Sequence, residues 1–492
     1  MAVSKKVKAT STKNRRRTFT LSAFTIILLL TFGLAIITHF LPAAQFDGET
    51  LIDGSGVLGA SLSQTLLAPI KGFADAIDIC LFVLVLGAFL KVVTKSGALE
   101  TGIKVLIKKL KGRELVLIAI LMFIFSIGGT TYGMLEETVG FYAILSVAMV
   151  AAGMDTLVAS ATVLLGAGVG VLGSTINPFA VGAAIDALPS GIEVNQGIII
   201  AIGAALWITS YIIATAFVLH YAKKVIKKKG STFLSLQEVK DMNETYGDDS
   251  NKREVPKITF RQRITLILFL LTFVVMIVGF IPWGSFGVTL FEKGSIFSTI
   301  TGLPLGEWYF QESTLWFLIM TIIIGVFNRT SEHDFVDTFI DGADDMVGVI
   351  LVIAIARGAS VLMTDTHLDN YIIYNAAQAL SGVSKLVFAP LNYILHVLLS
   401  VLVPSSSGLA TLSTPIMGPL AQKVGLSVEA TIMGMVAANG LVNLFTPTCG
   451  AIMGGLKLAK VEYSTWLRWV AKIIVCIALV NIIVLTIAMM ML

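Results

Sequence analysis

Apolar runs long enough to cross a bilayer recur along this chain, at about residues 19–42, 76–94, 193–221, 264–283, 312–328, 346–363 and 466–491. A helix needs roughly 20 such residues to span the hydrocarbon, and inside lipid every backbone N–H and C=O must find its partner within the protein. The chain is thereby restricted to a bundle of membrane helices. Composition agrees: 56% of the 492 residues are hydrophobic and 13% are charged, against about a quarter charged in a soluble domain. Mean hydropathy is +0.88. One water-soluble core cannot hide that much apolar surface, because cores stop growing near about 250–300 residues. Disorder is excluded too, since disordered chains are poor in apolar residues.

Charge sets the expected orientation. Lys5, Lys6, Lys8, Lys13, Arg15, Arg16 and Arg17 form a basic tail over residues 1–18, and the apolar run behind it exceeds the about 7–15 residues of a signal-peptide core. It reads as a first span with a cytoplasmic N-terminus in a cytoplasmic membrane. Residues 222–263 open with Lys223, Lys224, Lys227, Lys228 and Lys229 and close with Arg261 and Arg263. They read as a cytoplasmic linker between a first transmembrane repeat, 19–221, and a second, 264–492. The loop bearing Lys104, Lys108, Lys109, Lys111 and Arg113 belongs on the same side, whereas residues 43–75, with Asp47, Glu49, Asp53 and Asp75 against Lys71, face outward. A net charge of +4 gives no support to a nucleic-acid partner. Cys80, Cys449 and Cys476 lie far apart, so neither a disulfide nor a metal site is expected.

The halves resemble each other. Phe40-Leu41-Pro42 matches Phe280-Ile281-Pro282 at a spacing of 240 residues, and Gly87-Ala88-Phe89-Leu90-Lys91 matches Gly325-Val326-Phe327-Asn328-Arg329 at 238. Further on, Pro178 and Pro447 stand 269 apart. About 30 residues have been inserted, which is one span of about 20 plus a loop. The run at 346–363 is the candidate. One extra crossing reverses everything after it, so an all-α polytopic inverted repeat is expected, of the kind in which discontinuous helices of secondary transporters meet near the midplane. Residues 114–152, 155–190, 384–424 and 427–456 are apolar but interrupted by Gly, Pro, Ser, Thr and Asn. They supply two helical hairpins and two broken helices.

Those interruptions hold the candidate chemistry. In Gly128-Gly129-Thr130-Thr131-Tyr132-Gly133-Met134-Leu135-Glu136-Glu137-Thr138, glycines allow a tight tip, Thr130, Thr131 and Tyr132 offer hydroxyls, and Glu136 and Glu137 are costly at membrane depth unless used. Ser405, Ser406 and Ser407 before Gly408 suit a helix N-terminus that attracts a carboxylate. The breaks at Ser174, Thr175, Asn177 and Pro178 and at Asn443, Thr446, Pro447 and Thr448 free carbonyls for a substrate or Na⁺. Ser174, Thr175, Asn177 and Thr446 are the candidate ion ligands, with Na⁺ or H⁺ as coupling ion. Arg357, inside the inserted span, either holds Glu136 or Glu137 or grips a substrate carboxylate in bidentate fashion. Acid and base together suit an amino acid. Gly166, Gly168, Gly170 and Gly173 read as close helix packing, and His39, His220, His333, His367 and His396 as packing or loop residues.

Other classes lack their signatures: HExxH, GxSxG, a Walker loop and the TVGYG filter are all missing. A membrane sensor or scaffold is the non-transporting alternative, and no enzyme activity or cofactor is expected. The stretches GGTTYGMLEET at 128–138, STINPFA at 174–180, IARG at 355–358, VPSSSGLA at 403–410 and NLFTPT at 443–448 resemble the YfcC branch of the anaerobic four-carbon dicarboxylate carrier family, in the ion transporter superfamily. The resemblance covers nearly the whole chain. It implies two re-entrant hairpins with two broken helices, and a secondary transporter for a small carboxylate-bearing metabolite. Within that branch, arginine-ornithine exchange is the leading expectation and dicarboxylate carriage the runner-up; the partners expected are the substrate and the lipid bilayer, with a homodimer left open.

Overall fold

The computed structural model describes residues 23–48, 50–99, 101–102, 105, 113–228, 231–247, 258–281, 283–286, 288, 291 and 296–492. The basic tail 1–18, Lys104, Lys108, Lys109, Lys111, Lys229 and Pro282 lie outside these residues. Among those described, nine helices are long and apolar enough to cross a membrane, and the sole sheet is a two-stranded one, Phe46–Asp47 with Thr50–Leu51.

The chain opens with α1 (Ala23–Thr38) and continues through α2 (Leu62–Asp75) into α3 (Ile77–Lys95). Helix α2 corrects the expectation of an outward loop over 43–75. A capping box starts it, with Ser61 Oγ accepting from Gln64 N and the Gln64 side chain accepting from Ser61 N. Leu62, Leu66, Leu67, Ile70 and Phe73 then form its exposed apolar face while Thr65, Ala68 and Gly72 are buried. Next come α4 (Glu114–Tyr132) and α5 (Val139–Ala151), the arms of a first hairpin that turns at Gly133, φ +85°. Helix α6 (Thr156–Gly173) breaks at Ser174 to Asn177 and resumes through a short turn at Pro178–Gly182 into α7 (Ala183–Asp186). Helix α8 (Gln196–Lys227) completes the first half, followed by the short α9 (Leu236–Tyr246).

The second half runs α10 (Phe260–Phe280), α11 (Ile296–Thr301), α12 (Phe310–Phe327) and the 34-residue α13 (Glu332–Asp365), which contains the run taken as an insertion. After α14 (Leu368–Leu380), a second hairpin is made by α15 (Lys385–Leu402) and α16 (Ser406–Lys423). Helix α17 (Val428–Val442) breaks before α18 (Gly450–Leu458), and α19 (Tyr463–Met491) ends the chain. Helical structure thus reaches into both ends of the stretch read as a linker. There Asp155 accepts from Tyr221 Oη and Thr232 Oγ1, both at 2.6 Å, and Glu238 of α9 accepts from Glu462 N at 2.8 Å, tying α9 to the start of α19.

Packing directions follow from which residues touch. Gly168 lies against Leu444 and Gly440 against Leu172, so α6 and α17 pass each other antiparallel just before their breaks. Gly166 faces Met122 and Gly170 faces Ser126 to Thr130, which sets α4 parallel to α6. In the second half Asn392 donates to Thr431 O at 3.1 Å while Pro404 O accepts from Asn439 and Asn443, so α15 runs parallel to α17. Each hairpin tip is thereby carried to the break of its own half. Every residue of α6 is buried.

Helix α13 lies antiparallel along both α2 and α3. Two glycine contacts set the spacing: a side chain on Gly72 would run into the backbone of Ala354 and Gly358, and one on Gly87 into the backbone of Gly342. Ion pairs flank them, Lys71–Asp365, Lys91–Asp345 and Lys95–Asp334. Gly87→Val should therefore destabilise by about 1–3 kcal/mol through overpacking, seen as a lowered melting temperature in detergent. Gly33→Val, with nothing within 4 Å of the added carbon, should leave it unchanged.

Candidate functional site

Both hairpin tips and both helix breaks border one cavity of about 280 Å³. The first tip reaches it with Gly133, Leu135, Glu136 and Glu137. A left-handed turn at Gly133 is needed there, and a side chain at that position would strike the Asn177 carboxamide. Glu137 is 3% exposed and accepts from Leu135 N at 3.1 Å, so its carboxylate is tied to the turn it sits on. Glu136 is half-buried, and the cation bearing on it is Arg357.

From the first break, Asn177 lines the wall. Its Oδ1 accepts from Phe179 N and its Nδ2 donates to Ser174 Oγ, both at 2.9 Å. Behind it Thr130 and Thr175 hold tip and break together: Thr175 N donates to Thr130 Oγ1 at 3.1 Å, and Ile176 N to Thr130 O at 3.3 Å. Thr131 bonds back to Ile127 O within its own helix. Tyr132 stacks on Phe280 at 5.0 Å, and its hydroxyl is buried without a partner. Of the residues singled out from sequence in this half, Thr130, Thr131, Tyr132, Ser174 and Thr175 therefore do not reach the cavity wall.

The second tip presents Ser405, Ser406 and Ser407. Ser405 Oγ caps α16 by accepting from Gly408 N at 3.2 Å, and Ser406 Oγ donates to Asn439 Oδ1 at 2.8 Å. Backbone N–H groups in the first turn of α16 have no partner inside the helix and carry its positive dipole end. Asn443 donates to Asn439 Oδ1 at 3.1 Å, and its own Oδ1 is buried without a partner. Thr448 lines the cavity and is bonded to Thr446 at 2.7 Å; Thr446 lies behind it. Of the four candidate ion ligands only Asn177 is on the wall.

Arg357 also lines the cavity, and its Nε contacts Asp75 Oδ2 at 2.9 Å. The partner is neither glutamate of the first tip. Asp75 falls in the stretch expected from sequence to be an outward loop, and no sequence motif marks Asp78; α2 and α3 bring both to the wall. Their spacing at the edge of the apolar run 76–94 was the available signal. Asp78 Oδ1 accepts from Gln311 Nε2 at 3.1 Å. Among the described lining residues, Asp75, Asp78, Glu136 and Glu137 thus stand against the single cation Arg357.

The family model for C4-dicarboxylate anaerobic carriers, DcuC, matches residues 21–490. The chain belongs to the DcuC family. An uncharacterized Haemophilus influenzae protein is 30% identical over 419 residues, 85% of this chain and 76% of that protein. A protein of Escherichia coli named, provisionally, as the basic amino acid antiporter YfcC is 26% identical over 407 residues, 80% of this chain and 74% of its own. Among solved structures, MtrF of Neisseria gonorrhoeae, described with a class of antimetabolite efflux pumps, aligns with a TM-score of 0.46 at 15% identity over 96% of this chain and 95% of that one. The YdaH transporter of Alcanivorax borkumensis gives 0.46 at 16% identity over 95% and 98%. This DcuC-family member is a multi-pass membrane transporter.

Single cysteines at Phe179 and Pro404, which line the cavity from the first break and the second tip, in a background without Cys80, Cys449 and Cys476, should be protected from a thiol reagent by the same transported ligand. Labelling rates with and without ligand check this. Protection of one position alone would contradict a shared cavity.

Proposed function

We propose that the protein exchanges basic amino acids across the cytoplasmic membrane, with arginine and ornithine as the pair. The observation that carries this reading is the charge of the wall: four carboxylates against one guanidinium that Asp75 already holds. Two like charges 5 Å apart repel by roughly 3 kcal/mol at an effective dielectric of 20, so a dianion meets several such terms, whereas the cationic groups of a basic amino acid are attracted by the same carboxylates. An amino acid's own carboxylate fits the opposite wall, where the N-terminal turn of α16 offers unpaired N–H groups beside Ser405, Ser406 and Ser407. Its ammonium and guanidinium groups then face Glu136 and Glu137. The name of the Escherichia coli relative points the same way.

Carriage of a four-carbon dicarboxylate is the second reading. The family description and the presence of Arg357 at the wall favour it. Exchange of equally charged amino acids needs no coupling ion; net uptake would draw on Na⁺ or H⁺, with Asn177 as the ligand already at the wall. The lysine-bearing end of α8, Lys223, Lys224, Lys227 and Lys228, supports a cytoplasmic placement of that end and of the N-terminus. A sensor or scaffold would give no flux at all.

Counterflow in liposomes separates these readings. Labelled arginine should accumulate against excess internal ornithine and be insensitive to succinate, whereas uptake of succinate or fumarate alone would sink the amino-acid reading. Glu136→Gln and Glu137→Gln should each lower arginine counterflow by about tenfold or more, the cost of leaving a charged group unpaired in a desolvated site. Size-exclusion profiles should show that both variants still fold.

A further inference from the structure

Helices α2 and α3 meet α13 through four ion pairs, and one of them is reversed. At Lys71–Asp365, Lys91–Asp345 and Lys95–Asp334 the lysine is on α2 or α3 and the aspartate on α13. None of those residues borders the cavity. At Asp75–Arg357 the signs change places, and both partners are at the wall. The reversed pair sits beside the Gly72–Gly358 contact, where the two backbones touch, so its geometry is fixed by helices and not by loops. Side chains of Arg357 and Asp75 are 26% and 49% exposed. A pair so open to water contributes little to stability. Its placement matters instead for the charge a ligand meets.

We infer that Asp75 is the specificity-determining residue of this cavity, acting by holding and neutralising Arg357 so that the wall stays selective for cations. The inference rests on the basic-amino-acid reading above and deepens it. Arg357 is then a positioning group: it moderates repulsion between Glu136 and the neighbouring carboxylates while its charge is cancelled toward the ligand by Asp75. The ligand's carboxylate goes to the serine tip and not to Arg357. Removing Asp75 alone exposes a free guanidinium in the wall, which repels a basic amino acid and attracts a dianion. Removing Arg357 alone leaves the wall more negative and still cation-binding.

The test reads ligand-induced thermal stabilisation of the purified full chain, with arginine, ornithine and succinate as probes, alongside arginine counterflow. Asp75→Asn should need about tenfold more arginine for the same stabilisation, the scale of one uncompensated charge in a partly hydrated site, and should acquire stabilisation by succinate. Asp75→Glu should keep the wild-type preference. Arg357→Gln, and Asp75→Asn combined with it, should retain the response to arginine and gain none to succinate. These two variants decide the matter even if Asp75→Asn alone fails to fold. Loss of the arginine response in Arg357→Gln, with no recovery in the double variant, overturns the inference, because Arg357 then grips the ligand directly. An unchanged ligand preference in Asp75→Asn overturns it as well. Wild-type protein stabilised by succinate and not by arginine overturns the basic-amino-acid reading, and the inference falls with it; failure of the variants alone leaves that reading standing.

Discussion

Backbone groups set free in the middle of a helix must be met by protein, since lipid offers them nothing, and here the breaks and the hairpin tips meet one another's. Thr130 O takes the N–H of Ile176 and the hydroxyl of Thr175, and Pro404 O takes amide protons from Asn439 and Asn443. A tip therefore cannot be placed independently of the break beside it. The clustering of residues at the cavity is a by-product of that pairing: once α4 lies parallel to α6 and α15 to α17, the turns that end the hairpins arrive where the long helices come undone. The antiparallel passage of α6 and α17, locked by Gly168 against Leu444 and Gly440 against Leu172, then brings both assemblies around one cavity.

Around this centre the α2–α3–α13 unit forms a wall of a different kind. Its helices are long and joined by backbone contact at two glycine positions. Hairpin tips combine such contact, made between α4 and α6 at Gly129 and Gly170, with hydroxyl and amide hydrogen bonds. Through Asp75 and Arg357 the wall supplies part of the charge that lines the cavity.

Most of this architecture was legible because Gly, Pro, Asn and Ser inside apolar runs have few uses in lipid other than turns and breaks. What escaped depended on partners distant in sequence. Helix α2 was hidden by Pro69, Lys71 and its length of 14 residues, too short for a span by itself; its N-terminal capping box at Ser61 and Gln64 was a readable sign of a helix. Tyr132 belongs to the hydroxyl-rich tip by sequence, yet its ring turns away to stack on Phe280 of the other half. No local pattern encodes that. Arg357 was seen to need a counter-charge, but choosing Asp75 over Glu136 required the register of α13 against α2, which two glycines set. Thr446 and Ser174 fell behind the wall because they satisfy neighbouring groups at the breaks, the role hydroxyls take whenever a helix is interrupted.

The two tips are not chemically equivalent, and that inequality gives the cavity a direction. The first ends in carboxylates, with Glu137 fixed to its own turn by Leu135 N; the second ends in serines at a helix N-terminus, a donor surface without formal charge. A symmetric ligand such as a dicarboxylate would place like ends against unlike surfaces and leave one of them mismatched. On the proposed reading, an α-amino acid with a basic side chain, which has an anionic end and two cationic groups, would offer each surface its complement. The two hairpin-and-break assemblies supply the shape of the cavity, and the difference between their tips supplies its polarity.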